Sequence, residues 1–374
     1  MEHGVELSTL TTMRVGGPAA RLVRVTTTDE LVDAVREVDD ADEPLLVLGG
    51  GSNLIVADGG FAGTVVHVET FGTTVESNDG SGGVTVRVAA GEVWDDVVAR
   101  AVTEGWAGIE ALSGIPGRTG ATPIQNVGAY GQDVAQTIGQ VRVWDRQQQQ
   151  TQTFFGSDCG FAYRDSRFKG GDGQGGRYVV LDVLFRLRVS DLSQPLAYAG
   201  LAQQLGVEQG SRVPLADARE AVLTQRRQRA MVLDETDHDT WSCGSFFTNP
   251  ILSTREFAAL EVRVGARLGV DAATPPHWPE ERGIKTSAAW LIDGAGFAKG
   301  HGLPGPAGLS TKHTLAVTNR GSATAEQVLA LAREVRDGVE EAFGVRLVNE
   351  PVLVGLTLGP RPPPALGWRY IRVV

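Results

Sequence analysis

The chain has 374 residues, and this length predicts two or three domains of about 100–200 residues each. Its 34 Lys and Arg residues stand against 45 Asp and Glu, and the net charge of −11 with no basic stripe argues against a nucleic-acid partner. There is no apolar run of about 18 residues, and no basic segment leads into an apolar stretch at the N-terminus. We therefore expect neither a membrane span nor a signal peptide.

Cysteine and histidine are scarce and scattered. Cys159 and Cys243 lie far apart and neither belongs to a C-x-x-C motif, so we expect neither a disulfide framework nor a zinc site. The six histidines form no H-E-x-x-H motif or comparable cluster, and we expect no metal. Reduced thiols of this kind fit a cytoplasmic protein.

The first predicted unit is a strand at Arg21–Val25, a helix over Thr26–Val38 and a buried strand at Leu45–Leu48. A glycine loop follows, and apolar residues return at once in Leu54–Val56. Three consecutive glycines let backbone N–H groups point into one concavity, which suits a phosphate or diphosphate. The residues of this loop are Gly49, Gly50, Gly51, Ser52 and Asn53.

This loop matches neither common nucleotide-binding motif. A Rossmann fingerprint needs a third glycine in register and a following helix, and a Walker loop needs Gly-Lys followed by Ser or Thr. The sequence has neither feature. On pattern alone, the loop is either a phosphate cradle or a hairpin turn between two paired strands.

A second glycine-rich stretch is unlike ordinary core or ordinary loop. Gln125 and Asn126 lie within it in an apolar setting, where their amides can bind the edge of a planar heterocycle or satisfy neighbouring backbone. Close backbone approach explains such a density of glycine. The glycines are Gly108, Gly114, Gly117, Gly120, Gly128 and Gly131.

Farther along, Arg164 and Arg167 lie among aromatic residues in Cys159–Lys169. Such an arginine either forms a structural ion pair with a neighbour such as Asp165 or holds a carboxylate or phosphate. Tyr198 lies in a polar, loop-like segment. The other expected elements are strands at 63–68, 73–76, 84–90 and 178–187, a glutamine hairpin tip at 147–150, and helices at 94–104, 217–229, 254–268, 287–293 and 323–343.

A compositional break at residues 234–241 suggests a domain boundary, and Val345–Leu356 reads as a strand that carries Glu350. We expect the proline-rich tail from Pro360 onward to be extended or disordered. Seven sequence blocks, taken together in their order along the chain, are more specific than any one of them. They are TTMRVGGPA, VLGGGSNLIVAD, SGIPGRTGATPIQNVGAYGQ, FAYRDSRFK, CGSFFTNP, AAWLIDGAGFAKG and NEPVLVG.

In this order, the blocks resemble the UDP-N-acetylenolpyruvoylglucosamine reductases of bacterial peptidoglycan synthesis, the MurB family. The resemblance implies an α+β fold, with a two-lobed FAD-binding domain of the vanillyl-alcohol oxidase (PCMH) type and a smaller α/β substrate-binding domain. We place the first lobe at 1–70, the second at 71–233 completed by 346–374, and the substrate domain at 234–345. The resemblance further implies that FAD binds non-covalently, with its diphosphate at Gly49–Asn53. Other implied cofactor contacts are Gly117, Gly120, Gln125, Asn126, Gly128 and Tyr163, the last toward flavin or nicotinamide.

The family's reaction reduces an enol ether: hydride passes from NADPH by way of FAD N5 to C3 of the enolpyruvyl group, and a proton reaches C2. By resemblance, Arg164 holds the substrate carboxylate, Ser245 gives the proton, and Glu350 assists as a hydrogen-bond donor. The same resemblance assigns Tyr198 to a loop that closes over the UDP-sugar and Asn249 to the nucleotide. A family lysine at the diphosphate has no certain match; Arg229 and Met231 are the nearest candidates.

Two other functions compete with this interpretation. A flavin-dependent oxidase of the vanillyl-alcohol oxidase type shares the fold, but the CGSFFTNP and NEPV blocks argue against it. A catalytically silent nucleotide-binding protein would not need Arg164, Ser245 and Glu350 together. We expect a cytoplasmic monomer that binds a UDP-sugar and NADPH, with no nucleic-acid or membrane partner.

Overall fold

The computed structural model describes residues 1–79, 83–169, 176–269 and 274–359, and the backbone of a short strand at Tyr370–Ile371. The rest of the tail expected to be extended or disordered lies outside the described residues. Within the part that is described, no helix is long and apolar enough to cross a bilayer.

The first lobe is a mostly parallel sheet with one helix against it. Strands β2, β5 and β3 lie side by side and parallel, and β1 is antiparallel on the free edge of β2. Helix α1 starts at a capping box between Thr27 and Glu30, two residues later than the sequence predicts. The elements are β1 (Val5–Glu6), β2 (Pro18–Val25), α1 (Thr28–Asp40), β3 (Leu45–Leu48), β4 (Leu54–Val56) and β5 (Phe61–Val68).

The second lobe is built around an antiparallel sheet. The elements of this lobe are β6 (Thr73–Asp79), β7 (Gly83–Ala89), α2 (Trp94–Thr103), β8 (Trp106–Ala107), α3 (Thr122–Gln125), β9 (Gly128–Ala129), β10 (Gln132–Asp133), β11 (Ile138–Asp145), β12 (Gln150–Phe155), β13 (Tyr178–Val189), α4 (Ala199–Leu205) and α5 (Leu215–Gln228). The strands run in the order β12-β11-β13-β7-β6, and β8 pairs with the end of β13. Burial alternates along β7, with Val84, Val86 and Val88 in the core. The predicted hairpin at the glutamine run is confirmed between β11 and β12.

The segment around Tyr198 is partly helical, where the sequence predicts a loop. Helix α4 begins directly after Tyr198 and ends at Gly206 in the left-handed conformation. Leu201 and Ala202 are buried in two small clusters with side chains of α5. Packing against α5 therefore orders residues whose polar composition predicted no regular structure.

The third region packs helices around two small sheets. Its elements are β14 (Ile251–Leu252), α6 (Thr254–Leu268), β15 (His277–Glu280), β16 (Gly283–Thr286), α7 (Ala288–Ala295), β17 (Ala307–Leu309), β18 (Val317–Asn319) and α8 (Ala325–Phe343). Capping boxes start α6 at Ser253 and α8 at Thr324. Met13 and Ile55 of the first lobe belong to the same hydrophobic core, which joins this region to that lobe.

The end of the chain returns to the first lobe. Strand β19 (Val352–Val354) pairs in parallel with β4, and β20 (Tyr370–Ile371) pairs in parallel with β3. These pairings differ from our placement of residues 346–374 in the second lobe. The expected strand over Val345–Leu356 is shorter, and Glu350 precedes it.

The same pairings exclude the hairpin-turn interpretation of the glycine loop. Strands β3 and β4 flank the loop but do not pair with each other; β3 lies beside β5, and β4 beside β19. Residues 49–53 thus carry the chain from one sheet to another. The partner strand that decides this lies about 300 residues away, beyond the reach of any local pattern.

Candidate active site

The glycine loop offers a row of backbone donors. The N–H groups of Gly50, Gly51, Ser52 and Asn53 donate to no other group in the described part of the chain. Since buried backbone N–H groups are almost always paired, such a row is suited to an anion with several acceptor oxygens. Loop 49–53 therefore has the donors that a diphosphate needs.

The loop is also fixed by contact with the second glycine-rich stretch. A β-carbon on Gly50 would lie 2.7 Å from Gly117 Cα, and one on Gly51 would lie 2.1 Å from Leu10 O. Ser52 Oγ donates to Pro116 O at 3.1 Å. Glycine at position 50 is therefore required for backbone packing, a reason separate from the room that a phosphate needs.

A cavity of about 190 Å³ opens beside these two loops. All three proposed catalytic residues line it, although they come from segments far apart in the sequence. The predicted site residues on its wall are Ser52, Asn53, Gly117, Gln125, Gly128, Arg164, Ser245 and Glu350. The predicted residues away from its wall are Gly49, Gly50, Gly51, Gly120, Asn126, Tyr163, Tyr198, Arg229 and Asn249.

Arg164 and Glu350 are in contact on the wall of this cavity. Arg164 Nε lies 3.1 Å from Glu350 Oε1, in an ion-pair contact that lacks the angle of a hydrogen bond. Gln125 Nε2 donates to the same oxygen at 3.2 Å. Of the two alternatives for Arg164, the ion pair with Asp165 is wrong, because Arg164 pairs with Glu350 and Asp165 Oδ1 accepts the Ser166 N–H. Within the chain, Glu350 therefore acts as an acceptor, and its donor role toward a substrate stays a prediction.

The backbone holds Arg164 in an unusual conformation. Its φ is +53°, in the left-handed region that non-glycine residues rarely adopt. Its guanidinium donates to Gly128 O at 2.7 Å and to Asn126 O at 3.4 Å, and Lys169 Nζ donates to Arg164 O at 2.7 Å. The side chain is thus aimed into the cavity before any ligand arrives.

Ser245 lies next to this pair and keeps its hydroxyl free. It is half-buried, and its Oγ makes no hydrogen bond within the described residues. Glu350 N donates to Phe246 O at 2.8 Å, which fixes the two catalytic segments side by side. The nearby thiol is a poor nucleophile, since burial raises the pKa of Cys243 to about 12.

Tyr163 and Asn249 lie behind Arg164 and line a second groove of about 710 Å³, which Arg164 shares. Arg164 Cζ lies 5.4 Å and Lys285 Nζ 4.7 Å from the centroid of the Tyr163 ring. The Tyr163 hydroxyl accepts the Asn249 N–H at 3.4 Å. Burial raises the pKa of Tyr163. Asn249 Oδ1 accepts Ala288 N at the start of α7, so this oxygen caps a helix.

Comparison with known proteins establishes the family of this chain. The family model "UDP-N-acetylenolpyruvoylglucosamine reductase, C-terminal domain" matches residues 235–354, and an FAD-binding domain model matches 19–151. The protein of that name from Thermobifida fusca is 59% identical over 357 residues, covering 95% of this chain and 98% of the other. The chain belongs to the UDP-N-acetylenolpyruvoylglucosamine reductase family.

Other comparisons agree with that membership. The reductase of the same name from Streptomyces coelicolor is 58% identical over 358 residues, covering 95% of this chain and 91% of the other. The solved structure of the MurB enzyme from Thermus caldophilus matches with a TM-score of 0.61 and 25% identity, over 94% of this chain and 97% of that one. The expected family and fold class are confirmed: an FAD-dependent reductase with an α+β, FAD-binding fold of this family.

Within this reductase fold, Asn126 takes the structural alternative left open above. Its Nδ2 donates to Ala162 O at 2.9 Å, and its Oδ1 accepts Ala135 N at 3.2 Å. Both halves of the amide are therefore committed to backbone. Gln125, by contrast, lines the cavity and contacts Glu350.

Tyr198 and Arg229 form a separate group beside the cavity. Arg229 donates to Tyr198 OH at 3.4 Å, and the Tyr198 ring meets Tyr130 edge-on at 5.3 Å. Burial, followed by the charges of Arg229 and Lys299, lowers the pKa of His313 to about 4, so this imidazole is neutral near pH 7. The charge of Arg229 thus reaches a histidine of the third region.

Sequence reasoning missed three residues of the site. Lys169 lies within the FAYRDSRFK block and Tyr130 within the second glycine-rich stretch, so both were visible but had no assigned role. Arg226 was hidden, because the basic helix α5 resembles a solvated face. It lines the cavity instead.

Proposed function

We propose that this protein uses NADPH and FAD to reduce the enolpyruvyl group of UDP-N-acetylglucosamine enolpyruvate, giving UDP-N-acetylmuramate for peptidoglycan synthesis. The observation that carries this proposal is the convergence of Arg164, Ser245 and Glu350 on one cavity beside a row of free backbone donors. A silent nucleotide-binding protein would need only the donors.

The chain's own residues fit FAD. The N–H groups of Gly50, Gly51, Ser52 and Asn53 would hold its diphosphate, and Gly117, Gln125 and Gly128 line the wall beyond them. When bound, FAD supplies the hydride chemistry, which takes two electrons from NADPH and delivers them to the enolpyruvyl carbon C3. The protein supplies binding, orientation and charge.

Arg164 would bind the substrate carboxylate. As hydride reaches C3, negative charge develops at C2 and on that carboxylate, and a guanidinium already held in place stabilises it without reorganisation. The contacts to Gly128 O and Asn126 O keep the side chain oriented. Glu350 and Gln125 complete this orientation from the opposite side.

Ser245 would deliver the proton to C2. Its hydroxyl has no partner in the described residues, so it is available to a substrate held by Arg164. Tyr198 would lie on the loop that closes over the UDP-sugar, Arg229, which bonds its hydroxyl, would contact the substrate diphosphate, and Asn249 would contact the nucleotide. Tyr163 would contact flavin or nicotinamide.

We also propose that the enzyme acts in the cytoplasm as a monomer. Arg164, Ser245 and Glu350 all come from one chain, so no second copy is needed to complete the cavity. The two cysteines are free and buried, as in a protein that does not depend on disulfides.

An absorbance spectrum tests the function directly. The purified protein should be yellow, NADPH should bleach it, and the enolpyruvyl UDP-sugar should restore the colour. A bleached enzyme that oxygen restores rapidly, but that is indifferent to the UDP-sugar, would instead indicate an oxidase.

A further inference from the structure

Arg226 is a cation on the cavity wall that has no role in the proposal above. Arg226 lies in the last turn of α5 and lines the cavity close to Met231, whose carbonyl accepts from an Arg226 amino group at 2.6 Å. Its Nε is shut off from solvent and has no hydrogen-bond partner in the described residues. The guanidinium is therefore only partly satisfied.

Arg226 also has no carboxylate of its own. Asp95 is the acidic residue whose charge acts on it, but Asp95 accepts from Arg219 at 2.7 and 2.8 Å and from Gly114 N at 2.6 Å. Burial lowers the pKa of Arg226 to about 10, which leaves the group charged near pH 7. The protein thus keeps a largely buried positive charge, and Asp95, the carboxylate that acts on it, is bonded directly to Arg219 and Gly114 N instead.

Such an arrangement is unfavourable unless a ligand completes it. A buried charge without a partner carries its full desolvation cost, and an apolar side chain of similar volume would pack at least as well. An arginine with a structural role alone is expected to bond a carboxylate directly, and Arg226 bonds none among the described residues. The missing partner of Arg226 is therefore an anion that enters the cavity.

The position of Arg226 indicates which anion. A β-carbon on Gly114 would lie 3.5 Å from Arg226 Cδ, and two residues later Pro116 accepts the Ser52 hydroxyl. The arginine and the free N–H groups of loop 49–53 therefore flank the same short segment. On its other side, the positive charge of Arg229 acts on Arg226. Loop 49–53 and Arg229 are both suited to phosphate.

We propose that Arg226 is a diphosphate-binding residue of the cavity. Its planar guanidinium can give two parallel hydrogen bonds to phosphate oxygens, which a lysine cannot reproduce. The inference rests on the proposed function, which brings two diphosphates to the site: that of FAD and that of the UDP-sugar. The chemistry is the same for both, and the experiment separates them.

The test compares Arg226→Met and Arg226→Lys with the matched control Arg227→Met. Arg227 is the next residue along α5, but it is exposed and pairs with Glu220 at 2.8 Å on the helix surface. For each holoenzyme, the flavin content and the rate of flavin release are followed by fluorescence. The dissociation constant of UDP is then measured by calorimetry on the flavin-loaded protein.

A contact to the flavin diphosphate predicts at least ten-fold faster flavin release in Arg226→Met. A contact to the substrate predicts normal flavin release and at least ten-fold weaker UDP binding. In both cases Arg226→Lys should lie between Arg226→Met and wild type, and Arg227→Met should match wild type. The melting temperature of flavin-free Arg226→Met should not fall, since no structural ion pair is lost.

The proposal is overturned if neither flavin release nor UDP binding changes. It is also overturned if flavin-free Arg226→Met melts well below the control while Arg226→Lys behaves as wild type, because the residue is then structural. Failure of the proposed function looks different. In that case the wild-type protein itself would hold no flavin or would not bind UDP.

Discussion

Arg164 shows how a single side chain is prepared for its task. Its left-handed backbone, the two carbonyls that accept from its guanidinium and the carboxylate of Glu350 together leave it one orientation. A substrate carboxylate would therefore meet a guanidinium that is already positioned, so little side-chain entropy is lost on binding. Pre-orientation of this kind is what a charge-developing transition state requires.

Tyr198 provides a test of the substrate side of the site. Tyr198→Phe removes the hydroxyl that accepts from Arg229, together with any bond that this hydroxyl gives to a ligand. A hydrogen bond to a charged group contributes about 1.5 kcal/mol, so the KM for the UDP-sugar should rise roughly ten-fold. Steady-state kinetics with varied UDP-sugar would measure it.

The rate at which NADPH bleaches the flavin is the internal control for this variant. It should be unchanged, because the edge-on contact with the Tyr130 ring needs no hydroxyl and the segment should stay folded. An unaltered KM would remove Tyr198 from the substrate site.

At the scale of elements, two glycine-rich loops meet backbone to backbone. Gly50→Ala would place a β-carbon 2.7 Å from Gly117 Cα and push the loops apart. We expect a loss of about 1–3 kcal/mol in the free energy of unfolding, as overpacking costs, and at least ten-fold weaker FAD retention. Denaturant titration and flavin fluorescence would measure the two effects.

Gly59→Ala is the matched control, since a β-carbon there meets nothing within 4 Å. It should retain both stability and flavin. If Gly50→Ala also keeps its full flavin, the contact between the loops does not shape the cofactor site.

Helices α2 and α5 are joined by a half-buried ion pair between Asp95 and Arg219, whose strength depends on pH. Burial alone would raise the pKa of Asp95, but hydrogen bonds from Arg219 and Gly114 outweigh it and lower the pKa below its usual 3.8. A carboxyl with a lowered folded-state pKa stabilises the protein above its unfolded pKa, and this stabilisation is lost as pH falls through the folded value.

Asp95→Asn should therefore lower the free energy of unfolding by about 1–3 kcal/mol at pH 7. The difference from wild type should shrink as the pH falls below about 4. Denaturant titrations at several pH values would show it, with the exposed neighbour Asp96→Asn as a control. A difference that is independent of pH would mean that charge is not the cause.

At the scale of the whole molecule, the site exists because distant segments meet. Arg164 belongs to the second lobe, Ser245 opens the third region, and Glu350 lies on the way back to the first lobe. The core that contains Met13 and Ile55 with the helices of the third region fixes their relation. Disturbing that core should disable chemistry without touching a catalytic residue.

The sequence predicted those features that depend on local patterns or on family motifs. Helix α6 was predicted with its full bounds, and the three proposed catalytic residues, chosen through their blocks, line one cavity. It could not predict that β3 and β4 lie in different sheets, because the pairing of β4 with β19 depends on a segment about 300 residues away. Nor could it separate Gln125 from Asn126, whose different roles come from Glu350 on one side and backbone on the other.

Arg226 shows that the sequence also could not predict which charged residue of a helix is buried. Four arginines lie between positions 219 and 229, and nothing in their spacing marks Arg226 as the one that lines the cavity. Only the packing of α5 against the second glycine-rich stretch reveals it. Burial of single residues on a polar helix depends on tertiary contacts that composition does not encode.

The central claim is that Ser245 gives the proton to C2, and stopped-flow absorbance of Ser245→Ala tests it most directly. NADPH should bleach the flavin of this variant at close to the normal rate, because that step needs no proton from Ser245. Reoxidation by the enolpyruvyl UDP-sugar should slow by roughly 10²–10⁴-fold, as loss of a positioned general acid does, and Ser245→Cys should recover part of it. Equal slowing of both half-reactions would contradict the account and turn the search for the donor to Glu350.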